Sequence, residues 1–267
     1  MLAENWQLAR GDSPLLIDIP HAGTSIPAAL AARLSRKALA LPDTDWHVDR
    51  LYAFAHDVGA TVMIAAQSRY LVDLNRDPSG AALYTGADNT ELCPTRTFAN
   101  EAIYVSDPPS RAEIAKRREQ YFDPYHEQLG AEIDRIRARH GFAVLLDGHS
   151  IRSLVPRFFA GRLPDLNLGT VDGTSCAAPV ENTARAIIGN AAPFSHVVNG
   201  RFKGGYVTRH YGAPMQSVHA LQLEIAQACY MDEAPPYRWD APRAGPLVEV
   251  LRRLVAALVA WRPETPQ

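Results

Sequence analysis

The chain has 267 residues, 47% of them hydrophobic and 21% charged, and its 27 Lys+Arg against 29 Asp+Glu give a formal net charge of −2. That apolar content excludes disorder as the main state, and the balanced charge excludes a dedicated nucleic-acid binder, which would carry a basic field. Cys93, Cys176 and Cys229 are odd in number and widely spaced, so they form neither a disulfide framework nor a paired-cysteine metal site and fit a reducing, cytoplasmic compartment. The opening residues, with an acid at Glu4, lack the apolar run of a signal peptide. The most apolar late stretch, residues 254–261, falls far short of the roughly twenty residues that a membrane span needs.

Taken in chain order, Leu15–Ile19 reads as a buried strand closed by Pro20 and a small-residue loop at 21–27. Residues 45–58 place Trp46, Leu51, Phe54, Ala55 and Val58 near helical spacing, with Gly59 as a stop. Thr61–Ala65 reads as a strand, residues 70–74 as another, and residues 75–110 as a long polar excursion. The pattern over 111–140 is helical, divided or kinked at Pro124. Residues 142–146 form the strongest predicted strand and lead into Asp147-Gly148-His149, with further strands expected at 165–168, His196–Val198 and 221–225. Residues 247–261 read as a terminal amphipathic helix. Strands alternating with helices predict an α/β fold, a mixed, mostly parallel central sheet flanked by helices. No repeat or low-complexity linker interrupts residues 1–267, which predicts a single domain.

In open α/β sheets ligands bind outside the carboxyl ends of the strands, and the residues expected there are unusually polar. His21 follows the first predicted strand, Asn75-Arg76 the third and His149 the strongest one, while Glu224 sits near the end of a late one. Two such histidines plus a carboxylate make a three-ligand zinc site with one position open to water, and Asp147 is placed to hold the second nitrogen of His149. Asp43-Thr-Asp45-Trp-His47 offers three donors for the remaining position. An Asp at a helix start is also an ordinary cap, so Asp45 is taken as the ligand and His47 as its substitute. Arg76 has the fork that grips a carboxylate, with Asn75 adding a hydrogen bond; a plain ion pair with Asp73 or Asp77 is the alternative. Glu224, inside an apolar run, must be paired or functional, and as a functional group it is the general base for a metal-bound water.

The segments Ile19-Pro-His-Ala-Gly-Thr-Ser-Ile-Pro27, Asp43-Thr-Asp-Trp-His47, Ser68-Arg-Tyr-Leu-Val-Asp-Leu-Asn-Arg-Asp-Pro78, Asp147-Gly-His-Ser-Ile-Arg152, Gly204-Gly-Tyr-Val-Thr-Arg-His-Tyr-Gly212 and His219-Ala-Leu-Gln-Leu-Glu-Ile225 together resemble the N-formylglutamate amidohydrolase (deformylase) family. The resemblance implies hydrolysis of N-formyl-L-glutamate to formate and L-glutamate, a late step of histidine breakdown. The family is in turn similar to the zinc carboxypeptidase and aspartoacylase group, which implies a zinc-carboxypeptidase-like (phosphorylase/hydrolase-like) fold, zinc on two histidines and an acid, and a catalytic glutamate. An Asn-Arg pair that holds the substrate carboxylate in the aspartoacylase branch is matched here by Asn75-Arg76. Those relatives place a glutamate three residues after the first histidine, where this chain has Thr24, so the acid must come from elsewhere.

On this reading zinc, or another divalent metal, sits on His21, Asp45 and His149. Glu224 is the base, Arg69 stabilises the formyl oxygen, and Asn75, Arg76 and Arg209 hold the carboxylates of a small dicarboxylate N-acyl amino acid. Arg152 is a weaker candidate of the same kind. His56, His126, His140 and His196 carry no motif and read as solvated or capping residues. Three rivals stand beside this reading. Gly148-His-Ser150-Ile-Arg152 nearly matches the G-x-S-x-G elbow of serine hydrolases, although Arg152 occupies the position where that turn needs glycine. The others are a non-catalytic carboxylate- or metal-binding module and an amidohydrolase for another N-acyl amino acid.

Overall fold

Strand lengths along the chain follow from where backbone pairing can continue. The computed structural model describes residues 5–83, 86 and 88–263; Glu4 lies outside them. Seven strands, β1 (Trp6–Ala9), β2 (Leu15–Ile19), β3 (Thr61–Ala65), β4 (Ala143–Ile151), β5 (Leu166–Gly169), β6 (His196–Val198) and β7 (Val218–Ala226), form one sheet in the order β1-β3-β2-β4-β7-β5-β6. The pairs β3–β2, β2–β4, β4–β7 and β5–β6 are parallel, whereas β1–β3 and β5–β7 are antiparallel. This is the mixed, mostly parallel α/β sheet that the alternation of patterns predicts. β2, β4 and β7 are buried along their whole length, as strands covered on both faces must be.

Helices cover the two faces. On one side α2 (Val48–Leu51), α5 (Ala178–Gly189) and α7 (Ala241–Ala260) meet the side chains of Ile17, Leu146 and Leu223. On the other, α4 (Asp123–His140) sets Tyr125, Leu129, Ile133 and Ile136 against Leu16, Leu145 and Ala220. These residues recur at helical spacing, so one stripe of α4 buries completely while its other face stays polar. Ser110 caps α3 (Arg111–Arg117) by accepting from the Glu113 N–H at 3.2 Å, and Asp240 does the same for α7 through the Arg243 N–H at 3.0 Å. Two short helices, α1 (Ala28–Ala31) and α6 (Tyr206–Tyr211), complete the set used below. None of the described helices is long and apolar enough to cross a membrane.

Several sequence expectations are corrected. Residues 70–74 are not a strand: Leu71 N–H closes a turn on the Ser68 carbonyl, and the apolar side chains divide between two separate clusters. The helix expected over 45–58 is only the single turn of α2, followed by turns and a short 3-10 segment (His56–Val58). The helical run 111–140 is interrupted by a π-turn (Arg118–Phe122), and Pro124 lies in the first turn of α4, where its missing N–H is harmless. Finally, β4 does not end at Leu146. Its pairing with β7 continues through Asp147↔Gln222, His149↔Glu224 and Ile151↔Ala226, while β2 stops at Ile19 before Pro20. Pro20 has no N–H with which to extend a ladder, so β4 and β7 project past their neighbour.

His126 on α4 is held neutral by its surroundings. Nε2 lies 2.9 Å from the Leu74 carbonyl, which leaves Nδ1 facing the Tyr211 hydroxyl at 3.0 Å. Burial pushes the imidazole down to about 4. The unfolded chain therefore takes up a proton as pH falls below the ordinary histidine value, while the folded one does not, so stability is lost on acidification. Urea melts at pH 7 and pH 5 should show His126→Gln losing about 2 kcal/mol less stability than the wild type over that interval. Identical losses in the two proteins would contradict this account of His126.

Candidate metal centre

The projecting ends of β4 and β7 leave a recess beyond Pro20, and three chain segments fill it. His21 follows β2 directly and is 3% exposed; His149, in β4, is 2% exposed; Asp45, 1% exposed, comes from the turn ahead of α2. The turn is tied down from both sides. Asp45 N–H donates to the His21 carbonyl at 3.1 Å, and Asp45 Oδ2 accepts from the Ser150 N–H, also at 3.1 Å. Neither Asp45 nor Asp43 caps α2, whose first residues receive no side-chain cap.

Within this recess the two imidazoles adopt the same arrangement. His149 Nδ1 is 2.9 Å from Asp45 Oδ2 and its Nε2 is 2.7 Å from Asp147 Oδ1; His21 Nδ1 is 3.9 Å from Asp45 Oδ2 and its Nε2 is 2.7 Å from Asp73 Oδ1. Each ring thus turns one nitrogen toward the cluster and the other onto a buried carboxylate, the pattern by which proteins orient metal-binding histidines. One ligand atom from each of His21, Asp45 and His149 lies within 4.8 Å of the others, so together they could hold a metal ion. The donor set fits. Asp45 Oδ1 is buried without a hydrogen-bond partner, its nearest cation being Arg69 Nη1 at 3.7 Å. A buried carboxylate oxygen left in that state is costly, and metal coordination would relieve it.

The electrostatics act on the two imidazoles in opposite directions. Burial and the Arg69 charge hold His21 below the ordinary histidine value, in its ligating neutral form. For His149, burial is outweighed by Asp147 and Asp45, which raise it well above that value. Burial would raise Asp73, but Arg69 and His21 hold it well below the carboxylate range. The Glu224 carboxyl, 8% exposed on the strand beside His149, is pushed up by burial to about 8.

A pocket opens on the cluster, lined among others by Arg69, Asn75, Arg76, Arg201, Gln222 and Glu224. Arg69 is buried, donates to Asp73 Oδ2 at 2.6 Å and lies over the Phe98 ring. Asn75 sits at the wall with its amide engaged: the oxygen accepts from the Val207 N–H at 2.7 Å and the nitrogen donates to Asp147 Oδ2 at 3.1 Å. Arg76 donates from Nε to Thr90 Oγ1 and from Nη1 to the Asn75 carbonyl.

Other sequence candidates are placed elsewhere. His47 is turned out at a φ of 63°, with Nε2 2.7 Å from the Tyr237 carbonyl, so it is not in the cluster. Asp43 accepts from the Tyr70 hydroxyl and the Phe98 N–H. Arg209 is exposed on α6, where its Nε donates to the Gly204 carbonyl, and it does not line the pocket. Arg152 likewise lines a separate surface depression beside Glu233 and Arg243. Ser150 does not sit on an elbow: it is an interior residue of β4, paired with Ile225, and Gln227 Nε2 donates to its Oγ at 3.3 Å. A nucleophile elbow needs a sharp strand-to-helix turn, so the serine-hydrolase reading falls.

Sequence reasoning missed Gln222 and Arg201. Strand alternation could have found the first, since Gln222 shares a face with Glu224. The strand-end rule could have found the second, which follows β6.

A sequence model of N-formylglutamate amidohydrolase matches residues 13–231. The N-formylglutamate deformylases of Pseudomonas putida and Pseudomonas aeruginosa are 45% and 46% identical to the chain over 256 residues, 96% of this chain and 96% of each relative. A crystal structure of N-formylglutamate amidohydrolase from Ralstonia eutropha JMP134 superposes with a TM-score of 0.80 at 25% identity, covering 96% of this chain and 97% of that one. A gene product of Agrobacterium tumefaciens shares the fold, with a TM-score of 0.73 at 17% identity over 96% of this chain and 94% of that one. The order of strands, the buried cluster at their ends and this near-complete sequence match lead to one conclusion: the chain belongs to the N-formylglutamate amidohydrolase family.

Proposed function

We propose that this protein hydrolyses N-formyl-L-glutamate to formate and L-glutamate, with zinc held by His21, Asp45 and His149, in the cytoplasm and as part of histidine degradation. The observation that carries the reading is the meeting of those three side chains with Glu224 in one pocket, in a chain 45% identical to a deformylase. The buried free thiols of Cys93, Cys176 and Cys229 suit a reducing compartment.

Zinc bound at this site supplies Lewis acidity and a water acidified toward a pKa of about 7. The rest of the chemistry falls to the chain's own residues. Glu224 accepts a proton from the attacking water as its oxygen bonds to the formyl carbon. It then delivers that proton to the glutamate nitrogen as the C–N bond breaks, giving formate and the free amine. A carboxyl raised to about 8 exchanges protons readily near neutral pH. The Arg69 guanidinium, fixed by Asp73, places positive charge beside the developing oxyanion. Arg76, supported by Asn75, receives the α-carboxylate of the substrate. Asp73 and Asp147 orient the imidazoles.

Release of formate from N-formylglutamate is the direct test. Activity should disappear on chelation and return when zinc is added back; full activity in metal-stripped enzyme would overturn the metal-dependent reading. Glu224→Gln should retain zinc at wild-type stoichiometry while losing at least about 100-fold in kcat, and an active Glu224→Gln enzyme would remove Glu224 from the mechanism. Asp73→Asn and Asp147→Asn should each weaken zinc binding about 10- to 100-fold in a competition titration with a chromogenic chelator. Unchanged affinity in both would show that the imidazoles need no such partners.

A further inference from the structure

The pocket carries an arginine to which the sequence motifs assign no role. Arg201 lies just past β6 and lines the same pocket as His21, Asp45 and Glu224. Its Nε donates to the Phe158 carbonyl at 2.6 Å, and its guanidinium carbon stands 5.9 Å and 5.4 Å from the ring centres of Phe158 and Phe202. A backbone acceptor and two rings hold the planar group in place, so little rotamer freedom remains to be lost when an anion arrives. With five donors in a fork, an arginine can keep such an anchor and still take a carboxylate.

The contacts also order the pocket's cations by how many contact steps separate them from the reacting end. Arg69 belongs to the cluster itself, 2.6 Å from Asp73 and 3.7 Å from Asp45. Arg76 donates to the carbonyl of Asn75, whose side-chain nitrogen is 2.7 Å from His149 Nε2. Arg201 connects to that end only through two rings. It holds Phe158, Phe158 meets Phe98 edge-on with centroids 5.0 Å apart, and Phe98 lies 4.8 Å from the Arg69 guanidinium.

We propose that Arg201 is a specificity-determining residue that binds the distal, side-chain carboxylate of an acidic N-acyl amino acid. In such a substrate the α-carboxylate hangs from the carbon bonded to the reacting nitrogen, so it falls to Arg76 near the cluster. The side-chain carboxylate reaches farther and falls to Arg201. The assignment rests on the deformylase reading for its substrate class, and it extends that reading from a metal site to a ruler for acidic side chains.

The test compares wild type, Arg201→Met and Arg201→Lys on N-formylglutamate and on N-formylglutamine, whose side chain is a neutral amide, with thermal melts to confirm folding. Glutarate and butyrate binding are measured by calorimetry on the same zinc-loaded proteins. Arg201→Met should lower kcat/KM for N-formylglutamate about 100-fold, mainly through KM, while N-formylglutamine changes by less than about threefold. Arg201→Lys, keeping charge without the fork, should fall between, and the wild-type preference for glutarate over butyrate should vanish in Arg201→Met. Equal losses on both substrates, or no loss on either, would overturn the proposal. If wild type releases formate from neither substrate, the deformylase reading fails and the calorimetry alone decides. A glutarate preference lost in Arg201→Met would then sustain the Arg201 site, and an unchanged or absent preference would reject it.

Discussion

A buried carboxylate with an oxygen to spare is the constraint on which the site turns. Asp45 is 1% exposed, and its Oδ2 is already committed to the Ser150 N–H and to His149, while its Oδ1 has no hydrogen-bond partner. A buried carboxylate oxygen in that state costs stability unless something outside the hydrogen-bond inventory compensates it. Two imidazoles turned toward the same carboxylate, each with a buried carboxylate 2.7 Å from its other nitrogen, complete a donor set that could hold a metal ion. The neighbouring Arg69 balances the negative charge of Asp45 and Asp73, so the cluster can stay folded and ready before a cation binds.

The sheet provides the room for this cluster. Had β2 continued beyond Ile19, its backbone would have occupied the space beside His149–Ile151 of β4. Pro20 ends the ladder there and releases the chain into the loop that carries His21. β4 and β7 go on together because their pairing is complete through Ile151↔Ala226. The result is an open edge on which His149 and Glu224 stand side by side on adjacent strands and line one pocket.

How much of this was legible in the sequence depended on how local the cause was. The bounds of β2, β3 and β6 follow from short apolar runs and their breakers, and those segments are strands as read. β4 and β7 are longer than the pattern suggests because Asp147 and His149 interrupt one apolar run and His219 the other, although the ladder between the two strands holds these residues extended. The run at 70–74 misled in the opposite sense. Tyr70 and Leu71 pack against Leu34 and Ile103, Val72 and Leu74 against Leu16 and Met63, and among the described residues the segment joins no strand. Choosing among Asp43, Asp45 and His47 was beyond local pattern altogether. The choice is made by Tyr70 and Phe98 for Asp43, by Tyr237 for His47 and by Ser150 for Asp45, all distant in sequence.

Net charge near zero likewise concealed the distribution that matters: one guanidinium bound into the cluster, with Arg76 and Arg201, the latter against the Phe158 and Phe202 rings, in the same pocket. The claim beneath all of this is that Asp45 and the two imidazoles share one divalent ion. A crystal structure of the zinc-loaded protein, with anomalous diffraction recorded at the zinc edge, tests it most directly. The account requires one dominant anomalous peak bounded by Nδ1 of His21, Nδ1 of His149 and a carboxylate oxygen of Asp45. A peak at His47 or Asp43, or one that leaves Asp45 uncoordinated, would contradict it.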